Sequence, residues 1–256
     1  MVANNINMKK LLILFVILIL SFIVKPSAVT TNAEYDLTSQ IIKSECADIL
    51  GNGKDETVIL SGVNLGDGPF YENIKITVSD SKTGTTLFSI TPTKNFGYEP
   101  TIMVGDFTSD GVCEIFYGAL SGNDDYGYYY LYSLNGEVKT LFDYESDVSS
   151  FNAVYENWYK VKVFNDNVYK YIDISNKKEN LKSIYNNGIL VKEVKANVTA
   201  VNKVYPCFNY YLNSYTLQVG RKIIGVNSND VIGYLVETYN YTNNENGIEK
   251  DSFIII

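Results

Sequence analysis

The chain has 256 residues, with 29 acidic against 21 basic side chains and a formal net charge of −8. That balance disfavours nucleic acid and anionic lipid as partners. The absence of histidine removes imidazole acid–base catalysis and the zinc sites that use histidine.

The residue types favour strands, with 22 Tyr and 12 Phe against 5 Pro. Cys46, Cys113 and Cys207 are too few and too uneven for a disulfide framework. One pair could form and leave a free thiol. Cys113 reads best as a small buried hydrophobe.

The N-terminus carries Lys9 and Lys10, an apolar run at 11–24, and then Lys25-Pro26-Ser27-Ala28. Basic start, apolar core and small residues form a secretory signal pattern, so 1–28 is expected to be a signal peptide. The run is shorter than the roughly 20 apolar residues that span a bilayer. An uncleaved anchor at 11–24 is the alternative. Residues 29–45 read as a leader and 46–256 as a β-rich repeat domain. The protein is expected to be secreted or held at the cell surface.

In chain order, the first motif is D-I-L-G-N-G-K-D-E at 48–56. Its fuller counterpart, D-F-T-S-D-G-V-C-E, stands at 106–114, 58 residues downstream. The later loop places Asp106, Thr108, Asp110 and Glu114 at relative positions 1, 3, 5 and 9. Val112 could lend a backbone carbonyl at position 7. Oxygen donors at that spacing suit calcium, which takes six to eight oxygens. Gly111 permits the sharp turn that such a curl needs. In the earlier loop Asp48, Asn52 and Glu56 hold positions 1, 5 and 9, and Lys54 the carbonyl position. Leu50 removes one ligand there. One calcium is expected at 106–114, and a second could bind at 48–56.

Residues 57–63 read as a strand, and 64–69 as a turn-rich loop. Residues 73–80 and 85–90 form a hairpin signal around Ser81-Lys82-Thr83-Gly84. Apolar runs at 101–104 and 115–120 place the second loop between strands. Residues 127–134 and 138–144 read as a hairpin across Asn135-Gly136. Residues 159–164 and 168–174 make another across Asn165-Asp166-Asn167. A short helix is expected around 179–185, and strands at 189–194 and 231–241. Residues 205–217 read as a third loop segment that has lost its ligands. Recurrence at this spacing suggests stacked or radially arranged sheets.

The stretch 96–120 resembles the FG-GAP repeat of integrin alpha chains, which also occurs in bacterial secreted proteins with VCBS-type repeats. Phe96-Gly97, Gly105-Asp106, Asp110-Gly111 and Gly118-Ala119 carry the resemblance. Thr108, Glu114 and Leu120 depart from it, and 47–60 match less fully. The resemblance implies calcium loops between the strands of propeller blades. At this length the expectation is an all-β protein of repeated antiparallel sheet units, in a small or incomplete β-propeller-like architecture.

The resulting expectation of function is a non-catalytic, calcium-stabilised β scaffold outside the membrane. Its partner would be an extracellular protein or a cell-wall glycan. Nucleic acid is not expected, and membrane contact only if the N-terminal segment stays uncleaved. The alternative is an extracellular polysaccharide hydrolase with an Asp/Glu pair about 5–9.5 Å apart.

Overall fold

The computed structural model describes residues 38–66, 68–122, 126–227, 229–241 and 248–255, the last stretch as backbone. The chain divides into Met1–Asp36 and Leu37–Ile256, and every described residue belongs to the second unit. The expected signal or anchor at 11–24 lies outside the described residues. Among them, no helix is long and apolar enough to cross a membrane.

The first sheet has eight strands: β1 (Ser39–Ala47), β2 (Glu56–Asn64), β3 (Phe70–Asp80), β4 (Thr86–Ile90), β5 (Gly97–Gly105), β6 (Glu114–Leu120), β7 (Gly127–Ser133) and β8 (Lys139–Asp143). β1 occupies part of the stretch expected to be leader. The strands run in the order β1-β2-β3-β5-β6-β7-β8, with β4 paired to β3. Every pair is antiparallel. Period-two alternation sets the faces. In β2, Val58 and Leu60 are buried while Thr57, Ile59 and Ser61 are not fully so.

Register shifts at Ile41/Lys43, Ser61/Val63, Val78/Ser79 and Tyr98/Thr101 bend the strands, as bulges do. The sheet curls until β1 lies beside β5. Side chains make this closure: Lys43 Nζ donates to Ile102 O at 2.6 Å, and Glu45 Oε2 accepts from Val104 N at 2.8 Å. The sheet thus nearly closes as a barrel around Val58, Leu60, Ile74, Ile76, Ile102, Ile115 and Tyr117.

The second half begins with β9 (Asn152–Glu156), β10 (Lys160–Phe164) and β11 (Tyr169–Asp173). A 3-10 helix follows at Ser175–Leu181, in place of the helix expected around 179–185. Then come a small hairpin, β12 (Tyr185–Asn186) and β13 (Ile189–Leu190), and β14 (Lys195–Val198), β15 (Lys203–Asn209), β16 (Ser214–Ile224), β17 (Val231–Tyr241) and β18 (Ile248–Ile255). The second sheet runs β11-β10-β9-β14-β16-β17-β18, with β15 paired to β16.

The propeller expectation is overturned by this topology. The strands flanking both acidic loops belong to one sheet, where β3 pairs with β5 across the supposed repeat boundary. A blade would pair its strands within its own repeat. The physical cause is a second buried face. Phe107, Phe116, Tyr129, Leu131 and Phe142 of the first half pack with Val204, Leu217, Val219 and Tyr239 of the second. β6 and β7 are therefore covered on both faces, and their aromatic run is nearly continuously buried.

A charged network fastens the connection between the sheets. Arg221 of β16 is fully buried. Its guanidinium pairs with the Asp147 carboxylate, and Nε donates to Glu237 Oε2 at 3.1 Å. The Tyr239 hydroxyl donates to Asp147 Oδ2 at 2.8 Å. The segment after β8 is thereby held on the second sheet.

Candidate functional site

The two acidic loops do lie side by side: Cys113 N donates to Asp48 O at 2.9 Å. Their internal geometry also repeats. Asp106 accepts from Ser109 N at 2.6 Å and Gly111 N at 3.0 Å, and Asp48 from Asn52 N at 3.1 Å and Gly53 N at 2.8 Å. Asp110 accepts from Val112 N at 2.8 Å, and Asn52 Oδ1 from Lys54 N at 2.9 Å. Glu114 Oε2 accepts from Phe107 N at 2.8 Å, and Glu56 Oε2 from Ile49 N at 3.0 Å. Gly111 and Gly53 both take positive φ, as the shared turn requires.

This geometry replaces the expected calcium sites. Each carboxylate is turned onto backbone N–H groups of its own loop, which do for the oxygens what a cation would do. The Thr108 hydroxyl donates a hydrogen bond to Glu114 Oε1 at 3.3 Å, and the Asn52 amide donates to Glu56 Oε1 at 3.1 Å. Val112 and Lys54, expected to lend carbonyls, instead contribute N–H donors. Among the described residues no group of three or more His, Cys, Asp or Glu is placed to hold a metal ion. The loops are hydrogen-bonded clips, and Phe107 beside Asp106 is a fully buried plug between the sheets. Millimolar calcium is therefore expected to move the melting temperature by less than about 1 °C, because only a ligand that prefers the native state raises it. Differential scanning calorimetry with calcium and with chelator reads this directly.

Glu114 is almost fully buried. Burial pushes its carboxyl up to about 7. The Phe107 amide acts against that shift, and Asp110 and Asp106 add to it. Burial likewise pushes the Cys113 thiol up to about 11, so it is no activated nucleophile. The three cysteines stand free.

A different place has the shape of a binding site. An open cleft of about 500 Å³ is lined by Tyr155, Glu156, Asn157, Trp158, Lys160, Tyr171 and Leu190. It forms where β9 turns into β10 and meets the β12–β13 hairpin. Trp158 and Tyr159 in that turn have φ of 66° and 56°, a left-handed conformation that bulky side chains rarely adopt. The neighbours hold it in place. Trp158 N donates to Gly188 O at 2.6 Å, and Ile174 N to Tyr159 O at 2.9 Å. The Tyr159 ring lies 4.6 Å from that of Tyr185. The Asn157 side chain accepts from Leu190 N at 3.0 Å.

The turn sends the Trp158 indole outward, 65% exposed. A side chain at Gly188 would meet that ring at 3.0 Å, so the glycine gives the indole its seat. Tyr171 also lines the cleft, with Lys160 Nζ 5.6 Å from its ring centre. Its hydroxyl is held above the ordinary tyrosine value, first by desolvation and then by the Glu156 carboxylate to which it hydrogen-bonds. The cleft thus offers an aromatic face, an amide, a carboxylate and an ammonium around open space. Sequence reasoning missed it. One signal was available: the sole Trp falls in N-W-Y, at a turn between two alternating strands and not at a core position within either.

Residues 149–254 match the family model of the YybI C-terminal domain, a span that coincides closely with the second sheet. The chain is 29% identical over 204 residues to the "Uncharacterized protein YybI" of Bacillus subtilis (strain 168), covering 76% of this chain and 77% of that protein. No solved structure matches. These similarities, with the sheet topology, displace the resemblance to FG-GAP and VCBS repeats. The loop pattern behind that resemblance is a hydrogen-bonded turn here.

Proposed function

We propose that the protein is a non-catalytic β scaffold acting outside the membrane, and that it holds a cell-wall glycan against Trp158. The observation that carries this reading is the exposed indole, fixed over a polar cleft by a strained and well-supported turn. Residues kept in sparsely populated backbone conformations cluster at ligand sites, where neighbours over-determine them. An indole face takes up the apolar face of a sugar ring, while Asn157, Glu156 and Lys160 supply donors and acceptors for hydroxyls. Glu156 is the one carboxylate among the residues lining the cleft. Hydrolysis of a glycosidic bond calls for two, so the lining supports binding over cleavage.

Trp158 is the sole tryptophan, so fluorescence excited where the indole absorbs and the tyrosines do not reports on this site alone. Titration with soluble wall-derived oligosaccharides is expected to shift its emission saturably, and the protein is expected to sediment with insoluble wall glycan. Trp158→Ala should weaken sedimentation at least about tenfold, as loss of a hot-spot aromatic does. Trp158→Gly should lose binding too, yet stabilise the fold by about 1 kcal/mol by relieving the positive φ. Unchanged emission together with no retention on wall glycan sinks the proposal.

A further inference from the structure

A second exposed feature lies at the other end of the second sheet. β15 and β16 are joined by a tight turn at 210–213. Tyr210 is 87% and Tyr211 101% exposed, and Leu212 is also exposed. It falls within 205–217, the stretch expected to be a third loop segment without ligands. We infer that this hairpin tip is an anchor for the interfacial zone of an uncharged or zwitterionic lipid bilayer.

Three observations carry the inference. The first is charge. No charged residue falls between Lys203 and Arg221, in a chain with 29 acidic and 21 basic residues. An uncharged tip enters the headgroup zone without desolvating an ion. Tyrosine concentrates at that depth because its ring is apolar and its hydroxyl stays wet.

The second is the state of the backbone. Asn209 Oδ1 accepts from Tyr211 N at 3.0 Å and Leu212 N at 3.3 Å. Asn213 takes the left-handed conformation that closes the turn. These two tip amides are therefore already satisfied when water is withdrawn, which a low-dielectric surroundings demands.

The third is support. The Tyr210 ring lies 5.1 Å from Phe208, Phe208 lies 5.1 Å from Tyr215, and Tyr215 lies 5.5 Å from the buried Phe107. A ladder of rings stiffens the hairpin down to the core between the sheets. A stable protein interface buries roughly 800 Å² on each partner, more than two tyrosines and a leucine supply at about 150–250 Å² per aromatic ring. A bilayer accepts an anchor of a few side chains.

The test uses the full chain, so the apolar run at 11–24 is common to every variant. In a Trp158→Phe background, Leu212→Trp places the only indole at the tip. With phosphatidylcholine vesicles its emission is expected to shift to the blue, and brominated acyl chains should quench it. In the wild type, Trp158 sits beyond the opposite end of the sheet and should show neither effect. Because Asp106 lies at the hairpin base, where its carbonyl accepts from Tyr215 N at 2.7 Å, anionic vesicles should bind more weakly. Tyr210→Ser/Tyr211→Ser/Leu212→Ser should lower vesicle binding about tenfold, since burial of apolar area drives it. An unshifted Leu212→Trp emission at saturating lipid overturns the inference. So does concentration-dependent self-association that the triple variant abolishes while vesicle binding stays the same, since the tip would then contact a second copy of the chain.

Discussion

Arg221→Met is expected to destabilise the protein by about 3–5 kcal/mol, the usual result of removing one partner from a buried ion pair. The guanidinium is fully buried and faces both Asp147 and Glu237. Without it the two carboxylates lose their cation inside a region that water reaches poorly. The melting temperature should fall by roughly 10 °C, at about 2–4 °C per kcal/mol for a unit of this size. Neutralising all three, as Arg221→Met/Asp147→Asn/Glu237→Gln, should recover most of the loss. Urea unfolding of the three proteins reads the difference. A single variant within about 1 kcal/mol of wild type would place the network in a solvated setting, where ion pairs contribute that little.

The second large effect concerns pH. Glu114 has a carboxyl raised from 4.5 to about 7 by burial. Between those values the folded protein keeps a proton that the unfolded chain has released. Stability from this group is therefore complete below about pH 4.5, falls as pH rises, and levels off above about pH 7. A shift of this size corresponds to at most about 3 kcal/mol. Glu114→Gln keeps an acceptor for Phe107 N and removes the titration. The variant should match wild type near pH 4.5 and exceed it by up to about 3 kcal/mol at pH 8. Urea midpoints measured across that range give the comparison, and a difference independent of pH would refute the assignment.

The local part of this fold was legible because turn chemistry is local. Ser81-Lys82-Thr83-Gly84, Asn135-Gly136 and Asn165-Asp166-Asn167 each sit between alternating runs, and each joins strands that pair. The near-closure of the first sheet was not legible. It rests on Lys43 and Glu45 reaching residues 59 positions away, and no local pattern encodes that partner. The meeting of the two sheets was hidden for a similar reason. The tyrosine-rich run of β7 looks alike whether one face or both are covered.

The acidic loops show a subtler limit. Their spacing announced a repeated turn, and the turn recurs in the bonds from Gly N to the first Asp, from the position-7 N to the position-5 side chain and from the position-2 N to the Glu. A cation cage and a self-capped turn ask for the same glycine and the same acceptors. They differ only in whether the oxygens converge on a vacant point or on N–H groups. Composition leaves that open, and packing decides it here, because Phe107 and Ile49 are buried and pull their amides toward Glu114 and Glu56. The left-handed backbone at Trp158 has no signature in residue type, and only the place of the sole Trp at a turn points to it.

The register of β14 sets the reach of the molecule. β14 pairs antiparallel with both β9 and β16, so β9 and β16 point the same way. The turn carrying Trp158 leaves the sheet at one end and the β15–β16 apex at the other. β16 runs from Ser214 to Ile224, about 35 Å at the usual rise per residue. Whatever Trp158 holds is thus kept at arm's length from whatever meets the tip, by a strut and not a tether. Lengthening β15 and β16 by two residues each would extend that strut by about 7 Å without exchanging its faces.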